Sequence, residues 1–525
     1  MPQSCWKCGA APLATLDPPG LPDTYLKNLA TSSIDLTHLA SCNDAPLDSE
    51  LLLIYGVISA EQEALASLDT QIQELRVALA RLVQRREASA NVVLRHQAIT
   101  SAVRRVPSEL VCQIFALTLS NNEEGGTKNP PWQLGHICRS WRRCALDYSP
   151  LWNHIEIPID SAKLSNISML ETQLLRAARA PLDVVWPAEV DPHLLDLALP
   201  HSSRWRSLCL HVSEEYDGML NRLHRVKDRL DRLEKLELVK AHETVIPDVF
   251  REARCLREVI LSDWEFRYPS PSVQIPWAQI TRYRGMYSWQ RQLEILETAP
   301  NLRECAVGFD HFTHTESFVE SDDSAPVILP QLRRICTGSP GFLRHLTAPS
   351  LEGLYSVYHS ESVVVLLPPF IDRSSCSLNT LVLMHCAMAI SAELTAVLRD
   401  LTSLTYLALE PDDLQDTTAD QISLLNAMTR TLPGSDTHEL CPSLTCLVYG
   451  MNVDFPEATF FSMAQSRFEA AQPLMQLRLF HVRYLHGDEY IVDERLRTLR
   501  DAGFDSALLS GSDVELLKGK EFFAI

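Results

Sequence analysis

Residues Val103 to Ile155 read VRRVPSELVCQIFALTLSNNEEGGTKNPPWQLGHICRSWRRCALDYSPLWNHI. The fold predicted for the rest of the chain depends most on this stretch. Pro107 and Glu109 form a helix-start signal, because proline is pre-set for a first helical turn and an acid favours the positive end of the helix dipole. Apolar residues then recur at helical spacing on two adjoining faces, one with Leu110, Ile114 and Leu117 and the other with Val111 and Phe115.

A second apolar stripe follows a loop rich in Asn, Gly and Pro at residues 121–131. Its members, at i, i+3, i+4 and i+7, are Leu134, Ile137, Cys138 and Trp141. This spacing predicts a second helix. A helix pair this short cannot hide its apolar surface by itself, so we expect part of it to face a neighbouring segment or a partner.

Three ordered pieces of this stretch resemble the F-box family. The pattern hydrophobe-Pro-x-Glu-Leu-x-x-x-Ile-Phe is met by Val106, Pro107, Glu109, Leu110, Ile114 and Phe115. The second signature is met by Ile137, Cys138, Arg139, Trp141 and Arg142, and the third by Pro150, Leu151 and Trp152. The sequence departs from the family at Val106, where Leu is commoner, and in its longer loop at 121–131.

The resemblance implies that residues 103–155 dock on the Skp-type linker subunit of a cullin–RING (SCF-type) ubiquitin ligase. The partner-binding residues it implies are Val106, Pro107, Leu110, Ile114, Phe115, Ile137, Cys138, Trp141, Leu151 and Trp152. The protein would then be a substrate adaptor that brings a protein target to the ligase. The alternative from the residues alone is a helix pair that only fills a larger core.

Composition is that of an ordinary globular protein, with 46% hydrophobic and 22% charged residues among 525. No run of about 18 apolar residues and no signal-peptide pattern is present, so we expect no membrane span and a cytoplasmic or nuclear location. The 14 scattered cysteines favour a reduced compartment. A net charge of −20 argues against nucleic acid as the main partner.

The N-terminal 47 residues are predicted to be a flexible tail, because they are rich in Pro, Ala, Ser and Asp and show little periodicity. Cys5 and Cys8 have the spacing of half a zinc site, and the only nearby complement is His38 with Cys42. A single CxxC pair is a weak signal, so we predict no metal site and no cofactor.

Residues 48–98 are predicted to form one long helix. The residues at heptad a and d positions are Leu65, Leu68, Ile72, Leu75, Leu79 and Leu82. Three heptads are the minimum for a coiled coil, so self-association through Leu65–Leu82 and a helix folded back on its own chain both stay open. A helix of this kind leading into an F-box also resembles a large group of fungal F-box-like proteins.

From 156 to 491 the chain repeats the form L-x-x-L-x-L. Clear copies start at Leu233, Leu256, Leu378, Leu404 and Leu474, a close variant at Trp205, and weaker copies at Ile280, Leu302, Leu332, Leu351 and Leu444. Starts lie about 19 to 40 residues apart, and alternation predicts a strand in each copy. Stretches between copies, such as 393–399 and 421–429, are able to form helices.

These copies resemble an irregular leucine-rich repeat solenoid. The predicted fold class is therefore α/β, with a long N-terminal helix and a helical F-box followed by that solenoid. A mixed α/β domain whose strands happen to be rich in leucine is the alternative. Residues 311–324 and 411–440 are predicted surface insertions, and residues 492–525 a cap over the last repeat, with a helix around Leu496 and Leu499.

The sequence contains no G-x-S-x-G, GxxxxGK[ST], GxGxxG or HExxH motif, and we predict a non-catalytic adaptor. An exposed sheet face between the buried leucines is the predicted site for a protein target, because strand residues alternate between faces. The main candidates on that face are Arg257, Glu258, Tyr406 and Arg478. Further candidates on it are Lys235, Glu237, Thr380, Val382, Thr405 and Gln476.

Overall fold

The structure, a computed structural model, describes most of the chain from residue 45 to residue 509. The described ranges are 45–119, 130–157, 164–187, 191–212, 222–240, 248–263, 273–287, 289–308, 325–338, 340–356, 363–386, 391–411, 418–430, 440–452, 455–468, 474–481 and 489–509. The predictions for the flexible tail, for Cys5, Cys8, His38 and Cys42, and for the insertion at 311–324 lie outside them. The chain divides into two compact units, Met1–Pro107 and Ser108–Ile525.

The first unit contains helix α1, Asp48–Thr100, which confirms the predicted long helix, and a 3₁₀ turn at Ala102–Arg105. Glu50 accepts a hydrogen bond from the backbone N–H of Leu47 at 2.8 Å and so caps the first turn. No side chain of α1 is buried. Self-association through Leu65–Leu82 and a helix folded back on its own chain both stay open as predictions.

The segment Asp48–Arg105 is long and apolar enough to cross a membrane, judged by length and composition only. Signal sequences and core helices of soluble proteins share these two properties, so the finding does not place the segment in a membrane. Glu61, Gln62 and Glu63 directly follow its most apolar part. The expectation of no membrane span stays a prediction.

The second unit opens with three helices instead of the two that were predicted: α2 at Ser108–Leu119, α3 at Pro130–Ile137 and α4 at Arg139–Asp147. Cys138 breaks the second apolar stripe, because its backbone is extended at φ −156° and ψ 169°. Its Sγ accepts a hydrogen bond from the N–H of Trp141 at 3.4 Å and caps α4. A 3₁₀ turn at Ser149–Trp152 then leads into the sheet.

In the described part of the second unit, fourteen parallel strands form one large sheet, and they lie side by side in chain order. They are β1 (His154–Glu156), β2 (Leu182–Trp186), β3 (Trp205–Val212), β4 (Lys235–Lys240), β5 (Glu258–Asp263), β6 (Arg282–Met286), β7 (Glu304–Gly308), β9 (Arg334–Thr337), β11 (Gly353–Ser356), β12 (Thr380–Cys386), β13 (Tyr406–Pro411), β14 (Cys446–Met451), β15 (Gln476–His481) and β16 (Asp505–Leu509). The short strands β8 (Val327–Ile328) and β10 (Leu346–Thr347) pair with each other in a separate parallel sheet.

Every predicted L-x-x-L-x-L copy contains a strand, and in most copies the strand begins two residues after the first leucine. The register aligns the second leucines across neighbours, as in Leu381 beside Leu407 and Leu407 beside Leu447, and these side chains are buried. The strands β1, β2 and β16 were not predicted. The last of them joins the sheet from within the range 492–525 that was predicted to be a cap.

Helices lie between successive strands: α5 (Leu164–Arg176), α6 (Pro192–Ala198), α7 (Trp289–Thr298), α8 (Val363–Ser374), α9 (Ser391–Asp400), α10 (Thr418–Met428), α11 (Glu457–Phe468) and α12 (Glu489–Asp501). The predicted helices around 393–399 and 421–429 and near Leu496 are confirmed. The prediction of residues 411–440 as a surface insertion is wrong in part, because α10 buries Leu424 and Leu425. The mixed helix-and-strand class is confirmed, with a long N-terminal helix and a large parallel sheet.

Candidate partner-binding surfaces

Helix α2 has one face turned into the molecule and another that is open. Val111 and Phe115 are 6% and 0% exposed, whereas Leu110, Ile114 and Leu117 are 49%, 50% and 68% exposed. This division follows from the i, i+4, i+7 spacing along the helix. An open row of three large apolar side chains on a short helix is the kind of surface that a partner covers.

Phe115 and Trp141 fix α2 against α4. Their rings meet edge to face with centroids 5.0 Å apart, an arrangement that aromatic pairs prefer. Trp152 is buried, and its indole N–H donates to the carbonyl of Ala145 at 2.6 Å. Leu151 is buried as well. These side chains hold the open face of α2 in place.

Arg176, which the sequence reading missed, ties this helical segment to the sheet. Its guanidinium packs against two indole rings that contact each other, 4.7 Å from the centroid of Trp132 and 4.4 Å from that of Trp152. Burial lowers the pKa of Arg176 from its ordinary value. The residue ends α5, whose Gln173 donates to the backbone carbonyl of His154 in β1 at 2.5 Å. The open face of α2 is thus carried on a rigid support.

The remaining implied linker-binding residues divide between exposed and covered positions. Ile137, at 60% exposure, and Cys138 are exposed, while Trp141 is partly buried. Pro107 is exposed and Val106 is partly buried; both belong to the first unit. Phe115, Leu151 and Trp152 are covered by the chain itself, so the surface that the structure leaves open is smaller than the implied set.

A row of alternating charges runs across the starts of five consecutive strands in the main sheet. The register sets these residues side by side: Lys235, Glu258, Arg282, Glu304 and Arg334. Lys235 Nζ lies 2.9 Å from Glu258 Oε1. Arg282 Nε lies 2.8 Å from Glu304 Oε2, close enough for an ion pair but not aligned for a hydrogen bond, and Arg334 donates to the same carboxylate. We call these five residues the charge ladder.

The charge ladder was not predicted, although its signal is in the sequence. Each of its members stands two residues after the first apolar residue of a repeat copy, at Leu233, Leu256, Ile280, Leu302 and Leu332. Parallel strands in one register bring such positions into a row. Comparing equivalent positions between copies would therefore have found it.

The four main candidates for target binding occupy different surroundings. Arg257 and Glu258 line a shallow groove together with Lys235 and Arg282. Arg257 also donates to the carbonyls of Arg254 and Leu256 at 3.0 and 2.8 Å. Glu258 is a member of the charge ladder, so part of its charge is already neutralised within the sheet.

Arg478 pairs with Asp505 across β15 and β16, with Nη2 2.8 Å from Oδ2. Its hydrogen bond holds the pKa of Asp505 below the ordinary value. Tyr406 is partly buried, and it packs against an apolar cluster that includes Val382, Ala408 and Val448. Val382 is fully buried. The expected open face between the leucines is therefore covered in this part of the sheet. The strand register places Glu258, Tyr406 and Arg478 on the same face of the sheet, with five strands between β5 and β13.

Groups with catalytic potential are sparse in the described part of the chain. The thiols of Cys305, Cys336 and Cys446 in the sheet are buried, and this burial raises the pKa of Cys336 to about 12 and that of Cys446 to about 11. They are protonated at neutral pH and are poor nucleophiles. Among the described residues, no group of three His, Cys, Asp or Glu side chains is placed to hold a metal ion.

No protein-family model matches this chain, and a search of curated proteins finds none that matches it. The resemblance to F-box proteins rests on the motif residues alone.

Proposed function

We propose that the protein is an F-box substrate adaptor, which joins a protein target to a cullin–RING ubiquitin ligase without catalysing a reaction itself. The observation that carries the proposal is the division of α2 into a buried face at Val111 and Phe115 and an open face at Leu110, Ile114 and Leu117. The motif residues of the resemblance supply both faces. We expect it to act in the cytoplasm or nucleus, where such ligases work.

The open face of α2 offers a limited amount of apolar area for docking. Leu110 and Ile114 are half exposed, so covering each would stabilise a complex by roughly 1 kcal/mol, about half the value for full burial of such a side chain. Phe115 is already buried and adds little new area. Exposed Ile137 and Leu117 are the further contacts we expect, since interfaces depend on a few well-covered side chains.

The sheet would be the target-holding part of the adaptor, and we propose that it is an irregular leucine-rich-repeat-like solenoid. Two observations support this. The parallel strands follow one another in chain order, and the repeated leucines align in register and are buried. The groove beside the charge ladder, lined by Arg257 and Glu258, is the proposed contact for a protein target of mixed charge.

A binding measurement tests the adaptor function. Purified linker subunit is titrated into the full chain and into a variant that carries Leu110→Asp and Ile114→Asp. We expect the variant to bind at least about tenfold more weakly, because each new carboxylate would have to lose water on docking. Wild type that fails to bind the linker would overturn the proposal.

The matched control is Leu175→Asp, which places the same charge at an 80% exposed leucine of α5. It should bind the linker as wild type does. Thermal unfolding of all three proteins checks that the substitutions leave the fold intact. If Leu175→Asp weakens binding as much as the α2 variant, docking does not use the open face of α2.

A second candidate function is a scaffold that works without the ligase, presenting the sheet from a self-associated helix. The exposure of all six seam residues from Leu65 to Leu82, at 45% to 69%, favours it. It differs from the adaptor in its expected result, which is self-association of the chain with no affinity for the linker subunit.

A further inference from the structure

The apolar seam of α1 is longer than the six residues from Leu65 to Leu82. Extending the same heptad frame towards the N-terminus places Leu51 and Ile58 at a positions and Ile54 at a d position. Towards the C-terminus it places Val93 at an a position. The seam therefore spans most of the 53-residue helix.

This seam is open along its central part. The exposed fractions are 45% for Leu68 and Ile72, 69% for Leu75 and 62% for Leu79. Helices in proteins depend mainly on packing of an apolar face, and a helix that leaves this much of its seam in water loses that stabilisation. A second helix with the same pattern would restore it.

Two charged residues interrupt the seam, and their positions indicate how a second helix could pair with it. Glu61 occupies a d position and Arg86 occupies an a position, and both are exposed. Glu61 lies eleven residues before Ile72, and Arg86 lies eleven residues after Leu75. The two charges are thus equally far from the middle of the seam.

We propose that α1 pairs with α1 of a second copy as an antiparallel coiled coil, in which Glu61 of each chain faces Arg86 of the other. In antiparallel pairs, a positions of one helix share a layer with d positions of its partner. The register that joins Ile72 to Leu75 then also joins Leu68 to Leu79, Leu65 to Leu82 and Ile54 to Val93. The dimer then contains two pairs of Glu61 with Arg86, one at each end of the seam.

Charge complementarity selects this arrangement against its alternatives. In a parallel dimer Glu61 would face Glu61 and Arg86 would face Arg86, and like charges inside a seam oppose association. Moving the antiparallel register by one heptad would set Glu61 against the apolar Leu79 or Val93 instead of Arg86, and the opposite charges would no longer face each other. Polar residues at seam positions fix register and orientation in this way.

The selected register also overlaps nearly the whole of Asp48–Thr100, because its centre lies within one residue of the middle of the helix. Antiparallel pairing would then place the two Thr100 residues, where the chains leave α1, about 80 Å apart at 1.5 Å rise per residue. The proposal is independent of the adaptor function, since it requires neither the linker subunit nor a target.

Sedimentation equilibrium of the full chain tests the proposal. Wild type should show a dimer of the 59.1 kDa chain, and a variant with Ile72→Asp and Leu75→Asp should be a monomer. Glu61→Arg or Arg86→Glu alone should weaken dimerisation at least about tenfold, because each creates two like-charge contacts. Combining the two substitutions restores opposite charges and should return the affinity to within about threefold of wild type.

The control exchanges two charges that lie off the seam, at heptad c positions, in a variant with Glu74→Arg and Arg81→Glu. It should dimerise as wild type does. Helical circular dichroism at the same concentrations separates lost pairing from a lost helix. Wild type that stays monomeric at about 100 µM overturns the dimer. A dimer that the combined exchange of Glu61 and Arg86 does not rescue overturns the antiparallel register.

Discussion

At the scale of single residues, the buried side chains of α2 should contribute to folding stability, and its exposed side chains should contribute to docking. Phe115→Ala would remove a fully buried ring from its contact with Trp141 and should lower the free energy of unfolding by about 3–5 kcal/mol. Leu110→Ala, at a half-exposed position, should lower it by less than about 1 kcal/mol. Urea unfolding of the two variants measures the difference. Equal losses would mean that Leu110 also belongs to the core.

A histidine near the start of β3 should make stability depend on pH. Burial, and then the nearby Arg204, lower the pKa of His201 from its ordinary 6.5. Its Nδ1 lies 3.3 Å from Arg204 Nη1, so the neutral ring accepts a hydrogen bond that the protonated ring would lose. Because the unfolded chain binds the proton more readily, stability is fully present above 6.5 and falls as pH drops through that value towards the lower folded pKa.

Urea unfolding between about pH 7 and pH 5 measures this effect. The free energy of unfolding should decrease towards pH 5 in wild type, and His201→Gln should reduce the decrease because glutamine does not titrate. His193→Gln, at an exposed histidine eight residues earlier in the chain, is the control. It should leave the decrease in the free energy of unfolding towards pH 5 unchanged. An unchanged pH dependence in His201→Gln would rule out His201 as its source.

Residue spacing predicted the two faces of α2 correctly, since a continuous helix turns spacing directly into direction. It could not predict Arg176. That side chain extends from α5 onto Trp132 and Trp152, and such a contact depends on how helices distant in sequence come together. Burial of Val382 was missed for a related reason, because alternation along a strand says which face a residue occupies but not what covers that face.

At the scale of elements, the packing around β6 leaves no room for a side chain at Gly285. A Cβ added there would collide with the Tyr283 side chain and come within 3.0 Å of Gln292 Oε1. Tyr283 is fully buried and donates to that oxygen at 2.8 Å. Gly285→Ala should therefore destabilise the second unit by about 1–3 kcal/mol through overpacking.

Thermal unfolding tests Gly285→Ala against Gly135→Ala in α3, where an added Cβ meets nothing within 4 Å. The latter change should be neutral or stabilise by up to about 1 kcal/mol, since alanine favours a helix. A wild-type-like midpoint for Gly285→Ala would show that the Tyr283 ring can move aside at no cost.

The repeat pattern predicted the strands because each copy combines period-two alternation with leucines at fixed positions. It missed β1, β2 and β16, whose sequences carry no L-x-x-L-x-L copy. The break between α3 and α4 was missed because one extended residue, Cys138, leaves the helical spacing of its neighbours unchanged. Local propensity gives no warning of it, since the N-cap contact of Cys138 exists only once α4 has formed.

At the scale of the whole molecule, the two proposals together predict the composition of the complex with the linker subunit. If α1 pairs with a second copy and the open face of α2 stays available in both, two chains should bind two linker subunits. The variant with Ile72→Asp and Leu75→Asp should bind one linker per monomer with unchanged affinity. The variant with Leu110→Asp and Ile114→Asp should remain a dimer that binds none.

Light scattering of each complex after gel filtration distinguishes these states by mass. Every variant changes one surface only, so a failure of docking and a failure of pairing give different results. A wild-type dimer that takes up a single linker subunit would contradict the prediction, because it would mean that pairing covers one of the two docking faces. In that case pairing through the seam of α1 and docking of the linker on the open face of α2 would compete with each other. The monomeric variant should then bind the linker more strongly than wild type does.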